Sequence, residues 1–241
     1  MSLDSGWRES ASAYIAFQDR GDPHRALLLD PVMLRLCGDV AGARVLDVGC
    51  GEGRFARMLA KRGALVTGVD PFETMVMTAG QRSGPGEGYV RAMAEQLPFA
   101  DGAFDLVVSY ITLVDIVGYR EAIAEMARVL RPGGRVLAAN LGFVTASAGG
   151  WERDAEGRRL YQKIDRYAEE WPATYEWAGI KIVNWHRPLS AYMAAYLGAG
   201  LTLEEFLEPL PDDDSLRGEA WAEDWYRVPL FNVMAWRKPA S

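Results

Sequence analysis

Apolar residues along this chain come in short blocks of two kinds, and the two kinds alternate. Val45-Leu46-Asp47-Val48, Leu65-Val66-Thr67-Gly68-Val69 and Leu106-Val107-Val108 are near-continuous β-rich runs, the pattern of strands buried on both faces. Between and after them, Phe55, Met58 and Leu59 stand at i, i+3, i+4, and Ile123, Met126, Ala127 and Leu130 extend the same helical stripe to i+7. Strand runs alternating with amphipathic helices predict an α/β sheet. Upstream, Ser10 caps a first helix carrying Tyr14, Ile15 and Phe17, Gly21-Asp22-Pro23 interrupts it, and a second helix runs from about Arg25 to Cys37. Further strands are expected at Tyr89–Ala92, Phe104–Tyr110, Arg135–Leu141, Leu201–Leu207 and Val228–Trp236, with helices at Glu73–Gly80, Tyr119–Leu130 and Leu189–Leu197.

One turn in this pattern carries chemistry. Asp47 ends the first strand, and Gly49, Gly51 and Gly53 follow at every second position around Cys50 before the helix opened by Phe55. Glycines there let bare backbone approach a ligand, and the helix directs its free N–H groups and positive dipole end at the same place. A dinucleotide-binding G-x-G-x-x-G turn needs glycine at position 54, where this chain has Arg54. The carboxylate of Asp47 also suits an ammonium group better than a pyrophosphate. Asp70, at the tip of the second strand and one βαβ unit further on, is placed to accept from both hydroxyls of a ribose; alone it reads equally as an N-cap.

The D-x-G-x-G-x-G stretch, Asp70, the segment Ala94-Glu95-Gln96-Leu97-Pro98-Phe99 with Phe104-Asp105, and Leu130-Arg131-Pro132-Gly133-Gly134-Arg135-Val136-Leu137 together resemble the class I methyltransferases that use S-adenosylmethionine. The resemblance is specific over about residues 43–141 and covers the remainder only through the order of elements. It implies a doubly wound, mostly parallel seven-stranded sheet with an antiparallel last strand, preceded by N-terminal helices. It implies S-adenosylmethionine as cofactor and S-adenosylhomocysteine as product. Asp47, Gly49, Cys50, Gly51 and Gly53 then flank the methionine part, Asp70 holds the ribose, and Pro71, Phe72, Ala94, Glu95 and Gln96 frame the adenine. Ser109 and Tyr110, at the carboxyl end of the fourth strand, lie beside the methionine part, and Arg25 is a candidate for its carboxylate.

On this reading the chain is one domain: a helical cover (1–40), a cofactor-binding core (41–141), a lid-like insertion (142–188), and a last helix with two strands (189–241). The insertion is rich in Trp, Tyr and scattered charge, which reads as a lid over a flat pocket, a satellite core or a dimer interface. Tyr14 is a candidate substrate contact, and His186, before the Leu189 helix, a candidate general base with an unperturbed pKa near 6.5.

Composition narrows the acceptor. A net charge of −7 argues against a general affinity for nucleic acid. No window has the length of a membrane span, and Met1–Trp7 lacks the basic and apolar regions of a signal peptide. Cys37 and Cys50 belong to no metal-spaced cluster and suit a reducing cytoplasm; the acidic run Asp212-Asp213-Asp214 reads as solvated, and no metal is expected. The expected reaction is methyl transfer to an O or N atom of a small organic molecule, with a homodimer as a candidate assembly. The rival readings are a non-catalytic subunit that keeps the fold for a partner protein, and a nicotinamide-dependent reductase.

Overall fold

The computed structural model describes residues 5–211, 214, 216–219 and 222–240. The expectations on Met1–Asp4, and on Asp212 and Asp213 of the acidic run, lie outside the described residues. Helix α1 (Trp7–Asp19) is followed by a π-helical turn, Arg25–Leu29, that runs directly into α2 (Asp30–Cys37). The core then alternates: β1 (Arg44–Val48), α3 (Arg54–Ala60), β2 (Leu65–Asp70), α4 (Glu73–Gln81), β3 (Glu87–Arg91), β4 (Phe104–Tyr110), α5 (Tyr119–Val129) and β5 (Leu130–Leu141). Four strands, β6 (Ser147–Arg153), β7 (Arg159–Ile164), β8 (Trp171–Trp177) and β9 (Ile180–His186), precede α6 (Leu189–Gly198), β10 (Thr202–Leu207) and β11 (Phe231–Arg237).

Seven strands form one sheet in the order β10-β11-β5-β4-β1-β2-β3. The pairings from β5 to β3 are parallel, and β11 runs antiparallel to both β5 and β10. Side chains alternate between two cores, as strand geometry demands. Val45, Leu106, Val108, Leu137 and Val233 face α2 and α3, whereas Leu46, Val107, Val136, Met234 and Trp236 face α5 and α6. The order in which strands are added reverses between β1 and β4, which run parallel, so the crevice at their carboxyl ends is the topological ligand site.

Several boundaries differ from the pattern, each for a local reason. Ser10 does not cap α1: the helix starts at Trp7 behind Gly6 (φ 78°), and the Ser10 hydroxyl instead donates to the Lys181 carbonyl at 2.9 Å. Asp22 does hold the start of the next turn, accepting from the His24 and Arg25 amides at 3.1 and 3.3 Å. The second helix opens as a π turn because Pro31, in the first turn of α2, has no N–H to continue a regular ladder. Arg131-Pro132-Gly133-Gly134 does not separate helix from strand; β5 begins at Leu130 and absorbs these residues as an irregularity in its pairing with β4.

The insertion is two separate antiparallel hairpins, β6–β7 and β8–β9. Among the described residues, no helix is long and apolar enough to cross a membrane.

Candidate active site

A cavity of about 290 Å³ opens at the switch point between β1 and β4. Its floor is the carboxyl ends of β1 and β2; its roof is α1, the segment after β4, and β9. Asp47, Gly49, Cys50, Gly51, Asp70, Pro71, Phe72, Ala94, Glu95 and Tyr110 of the expected set line it, as do Tyr14 and Arg25 from the helical cover.

The three glycines of the turn do different things. Gly49 (φ 73°) leaves room for Thr112, whose methyl would stand 2.0 Å from an added Cβ; Thr112 in turn donates to the Gly49 carbonyl at 3.3 Å. Gly53 makes room for Tyr89, the phenol oxygen lying 2.5 Å from an added Cβ, and Gly68 on β2 yields to the same ring and to Cys50 Sγ. Gly51 (φ 55°) alone is open toward the cavity. Two of the three therefore fit the protein to itself, and one presents backbone to a ligand.

Five carboxyls of the described residues line the cavity, Asp47, Glu52, Asp70, Glu95 and Asp115, and three of them have pKa values pushed up. Burial raises Asp47 to about 7, with repulsion from Asp70 adding and the Arg25 and Arg54 charges opposing. Both Asp47 oxygens are buried without a side-chain hydrogen-bond partner among the described residues, and the Ala56 N–H offsets the burial only in part. Burial raises Asp70 to about 6, and its two acceptor bonds, from Phe72 N–H (3.0 Å) and Gly51 N–H (3.1 Å), oppose that rise. Asp70 thus ties the glycine turn to the start of α4 and also faces the ligand space. Burial raises Asp115 to about 7 against hydrogen bonds from the Trp7 and Asn184 side chains, the latter at 2.6 Å.

Side chains the motifs did not single out complete the walls. Glu52 is buried and held by Arg57 Nη2 (2.6 Å) and Arg82 Nη1 (2.8 Å). Arg54, which stands where a dinucleotide turn needs glycine, makes a two-pronged bond to Asp30 at 2.8 and 2.9 Å; Asp30 also accepts from Tyr110 Oη at 2.7 Å. Gln18 lines the roof with both amide atoms buried and without a hydrogen-bond partner among the described residues. Ile111, directly after β4, holds φ at 56°, a strained backbone for a β-branched residue, and this bend seats Thr112 on Gly49.

Four expected residues stand elsewhere. Gln96 is exposed and off the cavity, its amide bonded to the Met93 carbonyl in a turn. Ser109 is fully buried within β4, and Gly53 sits behind Gly51. His186 is the substantial correction. It lies outside the cavity, with Nδ1 paired to Thr145 Oγ1 at 2.8 Å and Nε2 to the Tyr167 carbonyl at 2.9 Å. The Tyr167 and Trp171 rings flank it at 5.4 and 5.3 Å. With both nitrogens engaged it has no free position from which to take a substrate proton. Period 2 on β9 explains the swap: Val183 and Trp185 face the cavity, so His186 points the other way.

Fold and site together define a class. Residues 46–138 match the family described as methyltransferase domain. The matched segment and the sheet around it are those of the class I S-adenosylmethionine-dependent methyltransferases, whose cofactor is S-adenosylmethionine. Among solved structures it resembles an S-adenosylmethionine-dependent methyltransferase from Mesorhizobium loti, with TM-score 0.78 and 28% identity over 91% of this chain and 99% of that one. Among curated relatives, a demethylmenaquinone methyltransferase of Tropheryma whipplei is 29% identical over 63% of this chain and 64% of its own length. A malonyl-[acyl-carrier protein] O-methyltransferase of Buchnera aphidicola is 38% identical over 39% of this chain and 37% of its own. The chain thus spans less than two thirds of these curated relatives.

Proposed function

We propose that the chain transfers a methyl group from S-adenosylmethionine to an O or N atom of a small organic molecule. The observation that carries this reading is Asp47: a buried carboxylate at the cavity floor, beside the one open glycine, with no side-chain partner among the described residues. Burying such a group costs several kcal/mol unless a cation joins it, so the site is built to receive one. The ammonium of the cofactor's methionine part supplies that cation, and Arg25 lines the same cavity as a countercharge for its carboxylate. Asp70 is assigned the ribose hydroxyls, with Phe72, Ala94 and Glu95 around the adenine.

When bound, the cofactor supplies an electrophilic methyl on a sulfonium. The chain's own work is to hold the acceptor in line with that methyl and to keep water out, and no covalent residue is required. Tyr14, Trp7 and Trp185 provide the apolar roof for this. A partner-binding subunit without catalysis would have its aromatic insertion sealing the cavity; here Val183 and Trp185 of the insertion line an open one. The two free, buried cysteines suit a cytoplasmic setting.

Calorimetric titration with S-adenosylmethionine, S-adenosylhomocysteine and NADH tests the reading. Micromolar binding of the first two and none of the third is expected, with Asp70→Ala weakening both by about 1–3 kcal/mol. Binding of neither sulfur ligand by the folded protein refutes it.

A further inference from the structure

The roof half of the cavity contains a second built carboxylate, and the cofactor residues do not account for it. Asp115 follows β4 on the short Leu113–Asp115 turn and lines the cavity. Two donors from distant elements converge on it: the Asn184 amide of β9 at 2.6 Å and the Trp7 side chain of α1. The turn itself is clamped by Arg187, a buried guanidinium that donates to the Leu113 carbonyl at 2.7 Å and the Ile116 carbonyl at 2.5 Å. A solvated helix cap needs no such support. A carboxylate whose direction matters does.

Around Asp115 the walls are flat and apolar: Trp7, Tyr14, Ile111, Val117, Val183 and Trp185. Trp7 and Tyr14 meet edge to face with centroids 4.9 Å apart. The charges that reach Asp115 are those of Asp70 and Arg25, and Tyr14 and Tyr192 feel Asp115 in turn. With Asp47 and Asp70 on the floor, carboxyls outnumber the cations, because Arg54 is already engaged by Asp30 and Arg25 pairs with Asp22 at 3.2 Å. An anionic acceptor would therefore enter against repulsion in a low-dielectric space.

Resting on the methyltransferase reading above, we propose that Asp115, aimed by Asn184 and Trp7, is the proton acceptor for a flat aromatic acceptor carrying a hydroxyl group. The O–H bond breaks toward the Asp115 carboxylate and the oxygen's electron pair forms the new O–CH3 bond. The C–S bond breaks onto sulfur, and the proton leaves later from Asp115 to water. A buried sulfonium and a buried carboxylate become a neutral sulfide and a neutral carboxylic acid, so no net charge is created in the cavity. A neutral amine already presents a lone pair and needs no base beforehand, which is why an aromatic hydroxyl matches the site better. Burial holds Asp115 near pH 7, so it ionises where an enzyme working at neutral pH needs its base.

The test is a saturation-transfer NMR titration of the protein saturated with S-adenosylhomocysteine, at pH 6 and pH 8. The probes are p-cresol, 4-methylanisole, which lacks the donor hydroxyl, and 4-methylbenzoate, which is anionic. p-Cresol should bind at least tenfold more tightly than either of the others, with the preference larger at pH 8. In Asp115→Asn the preference should fall below about twofold, while S-adenosylhomocysteine affinity, read by calorimetry, changes less than about threefold. Equal or tighter binding of 4-methylbenzoate, binding of no probe, or an unchanged preference in Asp115→Asn overturns the proposal. Failure of the wild-type protein to bind S-adenosylhomocysteine would instead overturn the methyltransferase reading beneath it.

Discussion

The floor and the roof of the cavity are made in opposite ways. The floor comes from one continuous stretch, Asp47 to Phe72, in which two strands, a helix and two turns set every backbone group. The roof is assembled from pieces far apart in sequence: Ser10 and Lys181, 171 residues apart, exchange two hydrogen bonds of 2.9 Å. Asn184 reaches Asp115 across 69 residues. Local backbone geometry writes a floor that can be recognised from spacing alone. Long-range side-chain pairing writes a roof that cannot.

The contrast can be broken most severely at Arg187. Arg187→Met keeps much of the volume but leaves the Leu113 and Ile116 carbonyls without their donor and Glu170 with Arg120 as its cation. Loss of one partner from a buried charged network should cost about 3–5 kcal/mol by denaturant unfolding. Binding of aromatic probes should collapse while S-adenosylhomocysteine still binds; equal loss of both would show that floor and roof are not separable.

Asp47 tests the floor in the opposite sense. Its folded pKa, about 7, lies above the ordinary carboxylate value, so the ligand-free folded state binds the proton more tightly than the unfolded chain. Its contribution to stability is therefore full below about pH 4 and is lost as pH rises toward 7. Asp47→Asn should make the ligand-free protein more stable at pH 8 by about 2–4 kcal/mol, with little gain at pH 4. The same change should weaken S-adenosylmethionine binding. A variant less stable than wild type at pH 8 would mean Asp47 is satisfied without a ligand.

A smaller effect is expected at His186. His186→Gln loses its bonds to Thr145 and Tyr167 and should cost about 1–2 kcal/mol of stability. Methyl transfer, once an acceptor is found, should stay within a few-fold of wild type across the pH range. A loss of a hundredfold or more would restore His186 as a base. The mildest change, Ser10→Ala, cuts the bonds between α1 and the Lys181 backbone and should cost about 0.5–1.5 kcal/mol. Faster amide exchange at Lys181 and Val183 would be its signature, since Val183 N–H donates to the Ser5 carbonyl beside it.

The succession of strands and helices along the chain and the glycine turn that the cavity opens on were legible in the sequence because each rests on a period or a spacing. Asp70 could be read as ribose ligand or as cap, and the structure gives it two amide partners while it still faces the cavity. His186 was misread because its standing beside Trp185 on β9 decides which of the two faces inward, and one residue of register reverses that. Asp115 carries no signal in the sequence, because nothing near it announces Asn184, Trp7 or Arg187. Glu52 and Gln18 had no signal either: an isolated polar residue shows its burial only once the chain has folded over it.

Tyr89 is the quiet partner of the glycine turn. Its ring fills the space that side chains at Gly53 and Gly68 would occupy, with Cys50 Sγ closing the remaining gap. These four positions therefore cannot drift independently through evolution. A lineage that enlarges Gly68 must first shrink Tyr89 and Cys50, and one that keeps the ring keeps both glycines. What looks like a cofactor signature is in part the memory of a tyrosine on the neighbouring strand.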